Sequence, residues 1–140
     1  MNKQTISLIF VGMMLLSSAA YLISSFFPTR RNVFLFYGEL SKSMEDNIIG
    51  ANLTILKFTY ASNDENYTSK VNQLKLLQNW ARTNLGEVQV FLVINKDERE
   101  VIEIKSALGE WNTSKFNLTR IRQKLCELLV YKPINCLKLP

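Results

Sequence analysis

The sequence predicts an α/β domain, a mixed sheet with helices on both faces, behind a single membrane-spanning helix. Three observations predict it. An uncharged apolar run stands near the N-terminus, the apolar period after it switches repeatedly between strand and helix, and 47% of the 140 residues are apolar, well away from the composition of disordered chains. From Ile6 to Phe27 there is neither charge nor proline, and about 22 residues make a helix of about 33 Å, enough to cross a bilayer. Lys3 with the terminal amine on one flank balances Arg30 and Arg31 on the other, so the positive-inside rule gives no orientation. Ser18 and Ala20 also suit a signal peptidase after the apolar stretch Ile6 to Leu16. Because Tyr21 to Phe27 stays apolar beyond that point, residues 1–29 are expected to be an uncleaved signal anchor in the lipid bilayer. Residues 30–140 would then form one domain on the extracytoplasmic side, large enough to bury its own core.

After Pro28 the elements follow in order. VFLFY, Val33 to Tyr37, is a β-rich run bounded by Gly38 and suits a strand buried on both faces. Ser41 to Ile49 reads as a short helix, with Ser41 at its N-cap, Glu45 and Asp46 near its start and Gly50 as its stop. NLTILKFTY, Asn52 to Tyr60, is a second strand with both faces partly apolar, ended by the polar loop ASNDEN. From Thr68 to Leu85 the period becomes helical: Val71, Leu74, Leu77, Ala81 and Leu85 share one stripe, Trp80 joins it, and Gly86 ends it. VQVFLVI, Val88 to Ile94, the turn NKDERE and VIEIKSAL, Val101 to Leu108, read as an antiparallel hairpin. A last helix starts near Thr113 or Ser114, with Leu118, Ile121, Leu125 and Leu128 on its apolar face. The order β-α-β-α-β-β-α argues a central mixed sheet.

No histidine is present, which removes the commonest general base and metal ligand. No Gly-rich phosphate loop, carboxylate pair or metal cluster stands out, so neither cofactor nor metal is expected. Cys126 and Cys136 are the only cysteines, and in an exported domain an even pair suggests one disulfide; two reduced thiols are the alternative. Four Asn-x-Ser/Thr sequons stand at Asn52, Asn66, Asn112 and Asn117 and mark candidate glycosylation sites, although an Asn-rich composition also produces sequons that carry nothing. The net charge is +5, and its excess gathers late, in Lys115, Arg120, Arg122, Lys124, Lys132 and Lys138 against Glu127. Such a patch suits anionic headgroups or an acidic partner subunit, with a solvated helix face as the plainer reading; nucleic acid is not expected outside the cytosol.

FLFYGELSKSMED, residues 34–46, resembles the first strand and redox turn of thioredoxin-like proteins, in which an apolar strand ends in a Cys-x-x-Cys motif capping a helix. VQVFLVINKDEREVIEIKSALGEW, residues 88–111, resembles the later hairpin of the same family. The resemblance implies a thioredoxin-like fold over most of residues 32–131. It also implies that the cysteine positions of the redox turn are held by Ser41 and Met44, and the cis-proline position by Gln89. No thiol stands there for a helix N-terminus to activate. Without those groups the fold would serve packing and binding, since a fold does not carry a function with it.

The leading expectation is therefore a non-enzymatic, membrane-anchored accessory or scaffolding subunit that binds other membrane or extracytoplasmic proteins. The alternative is an extracytoplasmic thiol oxidoreductase or disulfide chaperone working through Cys126 and Cys136. A pilin-like filament subunit is a third class, weakened because QTISLIF lacks the early glutamate and cleavable junction of such chains. A peptide-holding role like that of the thioredoxin-like oligosaccharyltransferase subunits also stays open, although those carry several spans after the domain.

Overall fold

The computed structural model describes residues 34–139. The anchor expected over residues 1–29 and the strand start expected at Val33 lie outside the described residues. Among the described residues no helix is long and apolar enough to cross a membrane. In chain order the elements are β1 (Leu35–Tyr37), α1 (Lys42–Gly50), β2 (Thr54–Ala61), α2 (Tyr67–Trp80), β3 (Val90–Asp97), β4 (Val101–Ser106), β5 (Gly109–Thr113), α3 (Leu118–Leu128) and α4 (Ile134–Leu137). They form the expected mixed α/β architecture. The strands make one five-stranded sheet in the order β1-β3-β2-β4-β5, with β1, β3 and β2 parallel and β4 and β5 antiparallel to their neighbours.

Residues paired across neighbouring strands point to the same face of a sheet. Leu56 and Phe58 of β2 pair with Leu92 and Ile94 of β3 and with Ile104 and Ile102 of β4. That face packs against Val71, Leu74 and Leu77 of α2 and Ile121 and Leu125 of α3, all buried. The opposite face is mixed. Ile55 and Val93 are buried there, whereas Lys57 pairs with Glu103 at 3.5 Å, and Lys105 reaches Glu45 of α1 at 3.5 Å. Helices thus flank both faces, α2 and α3 on the apolar side and α1 on the polar one. Ser41 caps α1 as its sequence predicts, its Oγ accepting the Met44 N–H at 3.3 Å. The three-residue edge strand β1 is held by Gln78, whose Nε2 donates to the carbonyls of Phe34 and Val90, each at 2.8 Å.

The structure corrects several details. The last expected helix starts at Leu118 and not near Thr113 or Ser114, because Gly109–Thr113 is strand β5. The first strand lies at the sheet edge with Tyr37 64% exposed and is not buried on both faces. The runs Val88–Ile94 and Val101–Leu108 do not form a hairpin: β3 and β4 lie on either side of β2 and each pairs with it. Apolar alternation tells which face a strand buries, not which strand lies beside it. The hairpin is instead β4–β5, closed by Ala107 and Leu108 between the pair Ser106 and Gly109. Gly109 has φ +144°, a conformation that side chains disfavour. Finally, α2 ends at Trp80 rather than running to Leu85, which is left 88% exposed.

Candidate functional site

The positions equated with a lost redox turn are not brought together. Ser41 and Met44 lie at the start of α1, beyond the carboxyl end of β1, and both are exposed. Gln89 precedes β3 and is buried. Because β1 and β3 run parallel with Tyr37 opposite Ile94, Ser41 stands at one end of the sheet and Gln89 at the other. Gln89 has a packing role: its Nε2 donates to the carbonyls of Ala81 and Tyr131, each at 2.8 Å. Gln89→Leu strands two carbonyls, and a buried group left unpaired costs about 1–3 kcal/mol. A loss of that size in urea unfolding is expected; an unchanged midpoint would refute this role.

Cys126 of α3 and Cys136 of α4 form a disulfide with Cα atoms 5.6 Å apart. The tail it holds is also tied by the Ile134 N–H donating to Asn84 Oδ1 and by Asn135 Nδ2 donating to the Trp80 carbonyl, each at 3.0 Å. All four sequon asparagines are exposed. Asn117 caps α3, its Oδ1 accepting the Arg120 N–H at 3.0 Å; Asn66 precedes α2; Asn112 lies on β5; Asn52 turns the chain from α1 into β2 with φ +60°.

A different set of residues converges where β2 ends and α2 begins. The Lys70 ammonium lies between Asp64, 2.7 Å away, and Glu100. Asp64 Oδ1 accepts the Asn66 N–H at 2.9 Å, and Glu100 Oε1 accepts the Phe116 N–H at 3.1 Å. Lys70 also stands 5.7 Å from the centre of the Phe116 ring. Four segments meet on this one cation: the β2–α2 loop, α2, the β3–β4 turn and the approach to α3. Hydrogen bonds from Lys70 and then from the Asn66 N–H hold the Asp64 carboxyl below its ordinary value of 3.8. Burial opposes the charge on Lys70, but the hydrogen bonds to Asp64 and Glu100 outweigh it and raise the ammonium above its ordinary value of 10.5. Both groups are thereby moved away from the range in which a side chain trades protons near neutrality. The cluster fastens chain segments together.

These shifts fix a pH dependence. A lowered carboxyl contributes stability that is present above 3.8 and is lost as pH falls through the folded-state value; a raised ammonium contributes below 10.5 and loses it as pH rises through its own. Thermal melts of the full chain from about pH 2 to about pH 12 are expected to show a plateau between two falls, both smaller in Lys70→Met. Identical falls in that variant would show that the cluster contributes nothing.

Beside the cluster, at the carboxyl ends of the parallel strands, a cavity of about 300 Å³ is lined by Tyr37, Tyr60, Tyr67, Asn72 and Lys75 among others. Tyr60 and Tyr67 stack at 4.5 Å. Among the described residues no group of three or more Cys, Asp or Glu is placed to hold a metal ion. Comparison of the chain with models of protein families, with curated proteins and with solved structures gives no match.

Proposed function

We infer that the chain is a membrane-anchored, non-enzymatic accessory or scaffolding subunit whose redox-inactive thioredoxin-like domain binds partner proteins on the extracytoplasmic side. The observation that carries this reading is the occupied junction at Lys70. A redox turn of that family sits between a strand end and a helix start, beside the segment that leads into a later strand. In this sheet the segments that meet in that way are Asn63 to Asn66 and Glu98 to Glu100, joined through Lys70. They hold no thiol, and the chain's two cysteine sulfurs are bonded to each other between α3 and α4. The reading thus rests on these positions more than on Ser41, Met44 and Gln89. The parallel unit β1-α1-β2-α2-β3 followed by the β4–β5 hairpin and α3 supports the fold assignment.

The test is gentle detergent extraction of the tagged full chain from its own membranes, with native mass and composition measured by mass spectrometry. Co-purification of other membrane proteins in fixed stoichiometry is the expected result. Extraction as a lone monomer, or recovery in a soluble fraction without detergent, would overturn the reading.

A further inference from the structure

Between α2 and α3 the apolar side of the domain is open. Gln73, Leu76, Leu77 and Trp80 from α2 face Leu118 and Arg122 from α3 across a groove of about 280 Å³. Leu76 is 69% exposed, although leucine loses about 1.5–3 kcal/mol of transfer free energy by staying in water. Among the described residues Arg122 is the only ionic group in the groove lining. Its guanidinium stacks 5.1 Å over the Trp80 ring, and its Nε is buried with no hydrogen-bond partner among the described residues. None of the ion pairs among the described residues includes Arg122. A buried donor without an acceptor is costly, and a guanidinium flanked by apolar surface matches a carboxylate carried on an apolar segment.

The surroundings share that sign. Lys115, Arg120 and Lys124 stand on or just before α3, and its one acid, Glu127, is paired with Lys124 at 2.6 Å. The chain's own N-terminal stretch cannot supply the missing carboxylate, because every Asp and Glu of the sequence lies at or after Glu39. A bilayer presents a broad charged plane, whereas a concave slot with one recessed cation fits a side chain and a neighbouring acid.

We propose that this groove docks an acidic, apolar segment of a partner protein, which seats a bulky apolar side chain against Leu76 and Trp80 and pairs a carboxylate with Arg122. The proposal rests on the accessory-subunit reading and names the partner's chemistry. Aromatic and arginine anchors of this kind carry most of the affinity of an interface.

The probe is a phage library of random short peptides, panned over the full chain in detergent. Enriched peptides are expected to combine a bulky apolar residue with Asp or Glu and to lose about tenfold or more in affinity to Arg122→Gln and to Leu76→Asp. Lys75→Gln, on the far side of α2, is expected to leave binding unchanged. Thermal melts of the variants, with Leu76→Ala as a milder substitute, separate lost binding from lost folding. The proposal is overturned by peptides without carboxylates, by indifference to Arg122→Gln, by absence of enrichment, or by competition from phosphatidylglycerol vesicles but not from phosphatidylcholine ones. Photo-crosslinking from position 76 into residues 1–33 of the same chain would overturn it too. A stoichiometric complex that survives Arg122→Gln and Leu76→Asp would remove the groove while leaving the accessory-subunit reading intact; a chain extracted alone would remove that reading itself.

Discussion

Phe58→Ala is expected to remove about 3–5 kcal/mol of stability, a large share of the roughly 5–15 kcal/mol that holds a domain folded. Phe58 is fully buried on the central strand, between Ile94 and Ile102 on its neighbours. Its ring meets Phe116 edge-on at 5.8 Å and Tyr60 at 6.3 Å. Small-to-large repacking from both sides would be needed to fill the gap, and sheet registers do not allow it. The effect reaches the junction as well. Phe116 supplies both the ring under Lys70 and the N–H bound by Glu100, so a Phe116 freed from Phe58 loosens the ion cluster. Urea unfolding of the full chain followed by Trp80 and Trp111 fluorescence measures the first effect. A loss under about 1 kcal/mol would show that Phe58 is not where the core is densest.

The second large effect is expected at the disulfide. Replacing both cysteines by serine opens a loop of about 11 residues, worth about 2–3 kcal/mol in the chain-entropy account. The loss should fall on the tail first. Cys126 is buried, and Gln89, Asn84 and Asn135 fasten the segment from Tyr131 to Asn135 independently of the sulfur bond. A maleimide probe after mild dithiothreitol is therefore expected to add nothing to the native chain and to label both cysteines in urea, read by intact mass. Ready reduction and labelling of the native protein would contradict a structural staple and favour thiol exchange through Cys126 and Cys136.

The parts of the fold legible in the sequence were those written in local periodicity. Val71, Leu74, Leu77 and Ala81 fall on one stripe and all four are buried. Leu85 continues the arithmetic of that stripe but not the helix, because the chain turns at Thr83, whose carbonyl accepts the Gly86 N–H at 2.9 Å. Capping was equally local: Ser41 could be read directly. Strand adjacency was not, since the continuous apolar run Val88 to Ile94 and the alternating run Val101 to Leu108 look the same whether they pair with each other or with a third strand. The junction lay beyond reach for a related reason, as Asp64, Lys70 and Glu100 come from separate segments. One signal for it was present. Lys70 stands four positions before Leu74 on the buried stripe, and a lysine there has to find an anionic partner.

The placement of β2 between β3 and β4 also governs how the domain comes to be folded. The short turn Glu98 to Glu100 joins two strands that never touch, so neither pairing of β2 forms as a local hairpin of the kind that joins β4 to β5. Each pairing instead closes a long stretch of chain onto β2, whose partners follow it by tens of residues. Distant pairings of this kind make a mixed α/β domain fold more slowly than a helical bundle. During synthesis β2 is made well before both of its neighbours, and until β4 arrives the edge it offers stays open to any other extended chain. The strand that ends up most protected is thus the one with the longest exposure on the way there.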